Sequence, residues 1–146
     1  MATKRRVEKR YHPLDLQKNV GVGIAFPLGG TPTFVTTFTT EEQAISNLKN
    51  LLITRKGERP FQPLFGTDIP SFLFENITND LLDSLKAGVE KDIEFWLPYI
   101  NIDEIEVTAD EDRNRIGISF SFSVGESGAN QIIILNVDEQ GSLSIA

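Results

Sequence analysis

The chain has 146 residues with 40% hydrophobic, 24% charged and 9% aromatic side chains, a composition that supports one hydrophobic core and excludes the disordered and fibrous classes. It carries no cysteine and a single histidine, His12, which excludes disulfide frameworks, cysteine zinc sites and any nucleophilic triad not built on that imidazole. The net charge of −7 divides unevenly: residues 1–18 hold Lys4, Arg5, Arg6, Lys9, Arg10 and Lys18 against Glu8 and Asp15, a net of +4, leaving −11 on the other 128 residues.

Residues 1–18 therefore read as a basic N-terminal arm, and residues 19–146 as a single α+β domain. The arm suits an acidic surface of a protein partner better than nucleic acid, because the acidic body repels phosphate; a solvated tail is the plainer alternative. No apolar run approaches the roughly 20 residues that cross a bilayer, and no secretory leader is visible, so a soluble protein with no membrane partner is expected. Asn19–Pro27, punctuated by glycine and proline, reads as an extended segment lying over the fold. Its Gly21-x-Gly23 lacks a third glycine and is followed by Pro27, which argues against a dinucleotide loop. Thr33–Phe38 is β-branched and aromatic, the composition of a short strand.

Two helices follow. The first is expected over about 41–56: Thr40 with Gln43, or Thr39 with Glu42, makes a capping box, and Ala44, Ile45, Leu48, Leu51 and Leu52 form an apolar stripe. Arg55 and Lys56 would close its last turn, with Gly57 as a left-handed cap. The second is expected over about 78–97, with Leu82, Leu85, Val89, Ile93 and Trp96 at helical spacing and Pro98 beyond its end. Beyond it the period changes to two. Ile105, Val107 and Ala109 alternate with polar residues, as do Ile116, Ile118, Phe120, Phe122 and Val124, and Gln131–Val137 and Leu143–Ile145 complete three or four antiparallel strands. Both helices should pack on the apolar face of that sheet. Ile132, Ile133, Ile134 and Leu135 are apolar on both sides and predict a strand covered on both, by the helices or in part by a partner, while a strand at the chain end leaves one sheet edge unpaired.

The stretch between the helices, Gly57-Glu58-Arg59-Pro60-Phe61-Gln62-Pro63-Leu64-Phe65-Gly66-Thr67-Asp68, holds two prolines and two phenylalanines that should turn inward. It reads as a rigid, partly buried corner in which Glu58 and Arg59 lock the core with charge-assisted hydrogen bonds. Glu58 could instead act as a general acid if Asp68 or Glu75 stood across a cleft, but nothing in the stretch resembles a sugar groove, and the structural reading is preferred. The Pro60-x-x-Pro63 spacing is read as internal stiffening, and the acidic groups at Glu90, Asp92 and Glu94 and at Asp110–Asp112 as solvated faces, since no calcium-loop pattern or phosphate loop is present.

With Gly57-Glu58-Arg59-Pro60 followed by Pro63 and Phe65-Gly66, and with the flanking helices and terminal hairpins, residues 20–146 resemble the baseplate wedge subunits, or sheath initiators, of contractile-tailed phages, a family shared with contractile bacteriocins and type VI secretion baseplates. The resemblance implies that Glu58, Arg59 and Pro60 or Pro63 match a Glu-Pro-Arg signature that fixes the loop in the wedge core. It implies a structural, non-enzymatic role without cofactor in the virion tail baseplate, after synthesis in the host cytoplasm. Other wedge subunits, tail sheath subunits and the tube or baseplate hub would be its partners, and the C-terminal sheet (Ile132–Leu135, Leu143, Ile145) would accept strands from the first sheath ring. A lysozyme-like hydrolase using Glu58 is the alternative that the same family suggests.

Overall fold

The computed structural model describes residues 13–17, 19–26, 28, 31–72, 78–110, 115–124, 130–137 and 143–145. Most of the basic arm, His12 and Glu75 among the residues singled out above, and the turns at 111–114, 125–129 and 138–142 lie outside them. One turn of 3-10 helix, Pro13–Leu16, precedes β1 (Gly23–Ile24), β2 (Thr36–Thr37), α1 (Thr40–Ile53), α2 (Ile69–Phe72), α3 (Asn79–Trp96), β3 (Ile100–Asp110), β4 (Arg115–Val124), β5 (Asn130–Val137) and β6 (Leu143–Ile145). The architecture is α+β, as the order of periodicities predicts.

The start of α1 follows from side-chain capping. Thr39 accepts from the Glu42 N–H at 3.2 Å, and the Glu42 carboxylate reaches back to the Phe38 N–H at 3.0 Å, which satisfies two donors near the helix head. Gln43 serves another purpose, accepting from Thr37 Oγ1 at 2.6 Å and thereby tying β2 to the helix. The end of α1 differs from the expectation. The helix stops at Ile53 because Thr54 turns extended, its N–H and Oγ1 both bonding the Asn50 carbonyl at 3.1 and 2.7 Å. Arg55 then forms a parallel bridge with Thr67, so a tertiary pairing replaces the last helical turn, and Gly57 caps a loop instead of a helix. The extended segment before α1 does lie on the fold: β1 pairs with β2, and the Phe26 N–H donates to Ser46 Oγ of α1 at 3.3 Å. The strand expected over 33–38 shrinks to the two residues of β2.

Thr78 caps α3 by accepting from the Leu81 N–H, and Leu85, Val89 and Ile93 are buried. The sheet order is β3-β4-β5-β6, all antiparallel. Along β4 every second residue from Ile116 to Val124 is buried, so α1, α3 and the inner sheet face share one core. Full burial of Phe120 and Phe122 stabilises by up to roughly 1.5–3 kcal/mol each. Gln131 at the head of β5 donates to Glu41 at 2.6 Å and ties the sheet to the first turn of α1.

Candidate functional site

Two features stand out from this frame, a corner between α1 and α3 and the outer portion of the C-terminal sheet. The corner is a chain of short hydrogen bonds. Thr67, fully buried, donates its hydroxyl to the Leu52 carbonyl at 3.1 Å and its N–H to the Thr54 carbonyl at 2.9 Å, satisfying acceptors that the end of α1 leaves open. The Gly57 N–H donates to the Pro63 carbonyl at 2.7 Å, and the Gln62 N–H to Arg59 at 3.2 Å, closing the loop on itself. Gly66 sits at φ +120°, where a Cβ would lie 2.4 Å from the Thr54 carbonyl oxygen, so the close approach of the two segments requires glycine.

The structure corrects the expected buried pair at this corner. Glu58 and Arg59 are both exposed. The Glu58 carboxylate accepts from the Arg55 N–H at 3.0 Å and clasps a turn, while the Arg59 guanidinium lies 4.4 Å above the Phe65 ring. Of the two phenylalanines expected inside, only Phe65 is buried, edge-on to Trp96 at 5.2 Å. Phe61 points fully into solvent from a left-handed backbone at φ 69°. Pro60 and Pro63 are exposed, and Gly66 is buried. The ionic tie of the corner comes from Lys56, whose ammonium meets Asp92 of α3 at 2.7 Å and Asp68 at 3.2 Å. Burial alone would lower the Lys56 pKa, but the hydrogen bonds and charges of Asp92 and Asp68 outweigh it and hold the group above its ordinary 10.5.

Beside this tie lies a groove of about 480 Å3 walled by Leu64, Phe95 and Trp96. Phe61, Leu64 and Phe95 are all strongly exposed, so the corner presents large apolar side chains around a charged tie. Sequence reasoning missed Lys56, Leu64 and Phe95, although Phe95 falls off the buried stripe of its helix and so carried a legible signal. Glu58 does not line this groove, and Asp68, its suggested acid partner, is held by Lys56. Among the described residues no group of three or more His, Cys, Asp or Glu side chains is placed to hold a metal ion, and no helix is long and apolar enough to cross a membrane.

At the sheet, β6 pairs only with the last three residues of β5, Leu135 with Ile145, Asn136 with Ser144 and Val137 with Leu143. Among the described residues no strand lies against that side of β5 over Asn130–Ile134. Ile133 and Leu135 are buried against the core, whereas Ile132 and Ile134 are exposed on the outer face. The helices therefore cover one side of this strand, not both.

Comparison with known proteins agrees with this geometry. The fold recurs in the crystal structure of a putative tail lysozyme from Geobacter sulfurreducens (22% identity, TM-score 0.61, covering 68% of this chain and 91% of that one). It recurs again in the baseplate of the anti-feeding prophage (23%, TM-score 0.54, 72% and 84%) and in the postcontracted baseplate of pyocin R2 (20%, TM-score 0.51, 56% and 82%). Baseplate wedge protein gp25 of Enterobacteria phage T4 is 33% identical over 79 residues, a match that spans 54% of this chain and 60% of the length of that relative. The class is thus that of small α+β proteins with a fold that recurs in contractile-tail baseplates. The family model described as Baseplate wedge protein gp25 matches residues 39–126, from the cap of α1 through β4, and the chain belongs to that family.

Proposed function

We propose that this baseplate wedge component acts as a template on which the contractile sheath begins, by accepting a strand from a sheath subunit along the free side of β5, while its corner docks against neighbouring wedge subunits. The observation that carries the reading is the short reach of β6. Among the described residues nothing else pairs with that side, so Asn130–Ile134 present a row of outward N–H and C=O groups, since alternate residues of an antiparallel strand turn these groups away from the neighbour already paired. Such a row recruits another strand unless it is blunted by lysine, proline or a bulge, and Asn130-Gln131-Ile132-Ile133-Ile134 contains neither lysine nor proline. At the corner, the exposed Phe61, Leu64 and Phe95 supply aromatic and aliphatic anchors of the kind that dominate protein interfaces once buried, and Glu58, Arg59, Pro60 and Pro63 keep the loop that carries two of them stiff.

The test is the double substitution Ile132→Lys with Ile134→Lys. Both positions are exposed, so the cost in stability is expected to stay within about 0.5 kcal/mol. Baseplates built with the variant should assemble, and electron micrographs should show them without sheath. Sheaths of ordinary number and length on such baseplates would refute the template role.

A further inference from the structure

From Asn19 to Thr40 no residue is charged, although 24% of the chain is. Within that stretch β1 and β2 form a ribbon whose inner side is tied to α1. The Val22 N–H donates to the Thr37 carbonyl at 2.8 Å and the Ala25 N–H to the Val35 carbonyl at 2.7 Å. The buried Thr37 donates to Gln43, the Gln43 amide to Asn47 at 2.9 Å, and the Asn47 amide to the Tyr99 hydroxyl at 2.8 Å, a relay that ends just before β3. A Cβ on Gly23 would strike the Gln43 amide, so the ribbon lies as close to the helix as a bare backbone allows. The outer side is apolar and open. Register sets Ile24 beside Thr36, and strand alternation puts Phe34 and Phe38, two residues to either side of Thr36, on the same face. Phe34 is 65%, Ile24 50% and Phe38 44% exposed. An uncharged apolar face on a segment held this firmly has the composition of an interface core.

We propose that this face receives the stretch of sheath chain that flanks the strand added to β5, and that this stretch is uncharged and apolar. The proposal rests on the strand-acceptor reading of β5 and names the chemistry of what that strand carries with it. The ribbon stands at the head of β5: the Glu42 carboxylate holds the Phe38 N–H, and Glu41, its neighbour on the helix, holds Gln131. Among the described residues the half of β5 that β6 leaves unpaired, Asn130–Ile134, is therefore the half next to the ribbon, whereas the corner lies at the far end of α1, about 20 Å away. A chain paired along that half and continuing past Asn130 crosses one layer spacing, about 10 Å, to reach the ribbon, the span of about three extended residues. A charged side chain set on this face would lose water and meet no opposite charge between Asn19 and Thr40, which is why the flank is uncharged. A second copy fits poorly, because facing ribbons would bring together two bodies of net −11 each, and the same sign repels anionic lipid headgroups.

The test compares baseplates assembled with full-length variants, viewed by electron microscopy beside those carrying Ile132→Lys with Ile134→Lys. The pair Ile24→Lys with Phe34→Lys puts charge on the face, and since both side chains are at least half exposed the variant should melt with the wild type. Phe34→Ser, which removes apolar area without adding charge, serves if the double variant fails to fold. Baseplates should incorporate both variants, and the sheathed fraction should fall about tenfold with the double substitution and by less with Phe34→Ser. Sheathing at the wild-type frequency, with the Ile132→Lys and Ile134→Lys baseplates bare, would overturn the inference and leave the reading of β5 standing. Normal sheathing of the latter baseplates would remove that reading and the inference with it. Exclusion of the folded ribbon variants from baseplates would overturn the inference by giving the face to a wedge neighbour. A wild-type dimer in sedimentation that the double substitution dissociates would overturn it by giving the face to a second copy.

Discussion

Replacing Gly66 by alanine tests whether the corner is held by backbone contact. A Cβ at this position would stand 2.4 Å from the Thr54 carbonyl oxygen and 2.9 Å from the Arg55 carbonyl carbon, and both atoms belong to a backbone pinned by the bridge to Thr67. Gly57 provides the control, because it too has a left-handed backbone, at φ +91°, yet nothing lies within 4 Å of a Cβ built there. The conformational strain common to both substitutions is about 1–2 kcal/mol. At residue 66 the chain must also shift, which endangers the bonds from the buried Thr67 to Thr54 and Leu52 at 2.9 and 3.1 Å. Each buried polar group so stranded costs about 1–3 kcal/mol, giving about 3–5 kcal/mol for Gly66→Ala against about 1–2 kcal/mol for Gly57→Ala. In a chain of this size that corresponds to a Tm lower by about 10 °C in the first case and about 4 °C in the second. Trp96, the sole tryptophan, lies edge-on to Phe65 next to the site and reports the transition by fluorescence. Equal losses for the two variants would refute the contact argument.

The remaining expectations concern charge. Arg59→Ala should cost only about 1 kcal/mol in a urea titration, the size of an exposed cation over a ring, since Arg59 is not the buried partner that its sequence neighbourhood suggests; a loss of 3 kcal/mol or more would contradict this. Lys56 has a folded pKa above its unfolded 10.5, so its contribution to stability is complete below that value and is lost as pH rises through the folded pKa. The stability of Lys56→Met should therefore fall less steeply than that of the wild type above pH 10.5, and parallel slopes would show that the ties to Asp92 and Asp68 carry no linkage. Glu58→Gln should leave any release of reducing ends from peptidoglycan by the purified chain unchanged, because Glu58 clasps the Arg55 N–H outside the groove; a selective loss in the variant would make Glu58 a proton donor.

Periodicity and capping are local, and the helix starts, the helical stripes and the alternation of β4 that they predict agree with the structure, whereas the predicted Gly57 cap does not. The Thr39 cap, the stripe through Leu52, the Thr78 cap and the alternation from Ile116 to Val124 each involve residues at most four apart, whose relative directions are set by the backbone itself. The interior of the corner was not legible in the same way. Arg-Pro-Phe-Gln-Pro-Leu-Phe contains two equivalent phenylalanines, and the buried one, Phe65, packs edge-on to Trp96, 31 residues away in the chain. The same holds for Lys56, which looks like a helix-closing cation until Asp92 of a different helix comes within 2.7 Å.

The amino-acid order by itself thus determined the two long helices, the α+β class and the core faces of α1, α3 and β4, because those depend on neighbours along the chain. Only the folded arrangement decided that α1 yields its last turn to a bridge with Thr67, that Phe61 and Phe95 face solvent around an ion-paired lysine, and that Ile132 and Ile134 stand uncovered. The physical reason is that each depends on partners distant in the chain: Trp96 for Phe65, Thr67 for Arg55, Asp92 for Lys56, and a last strand that pairs with only three residues of β5.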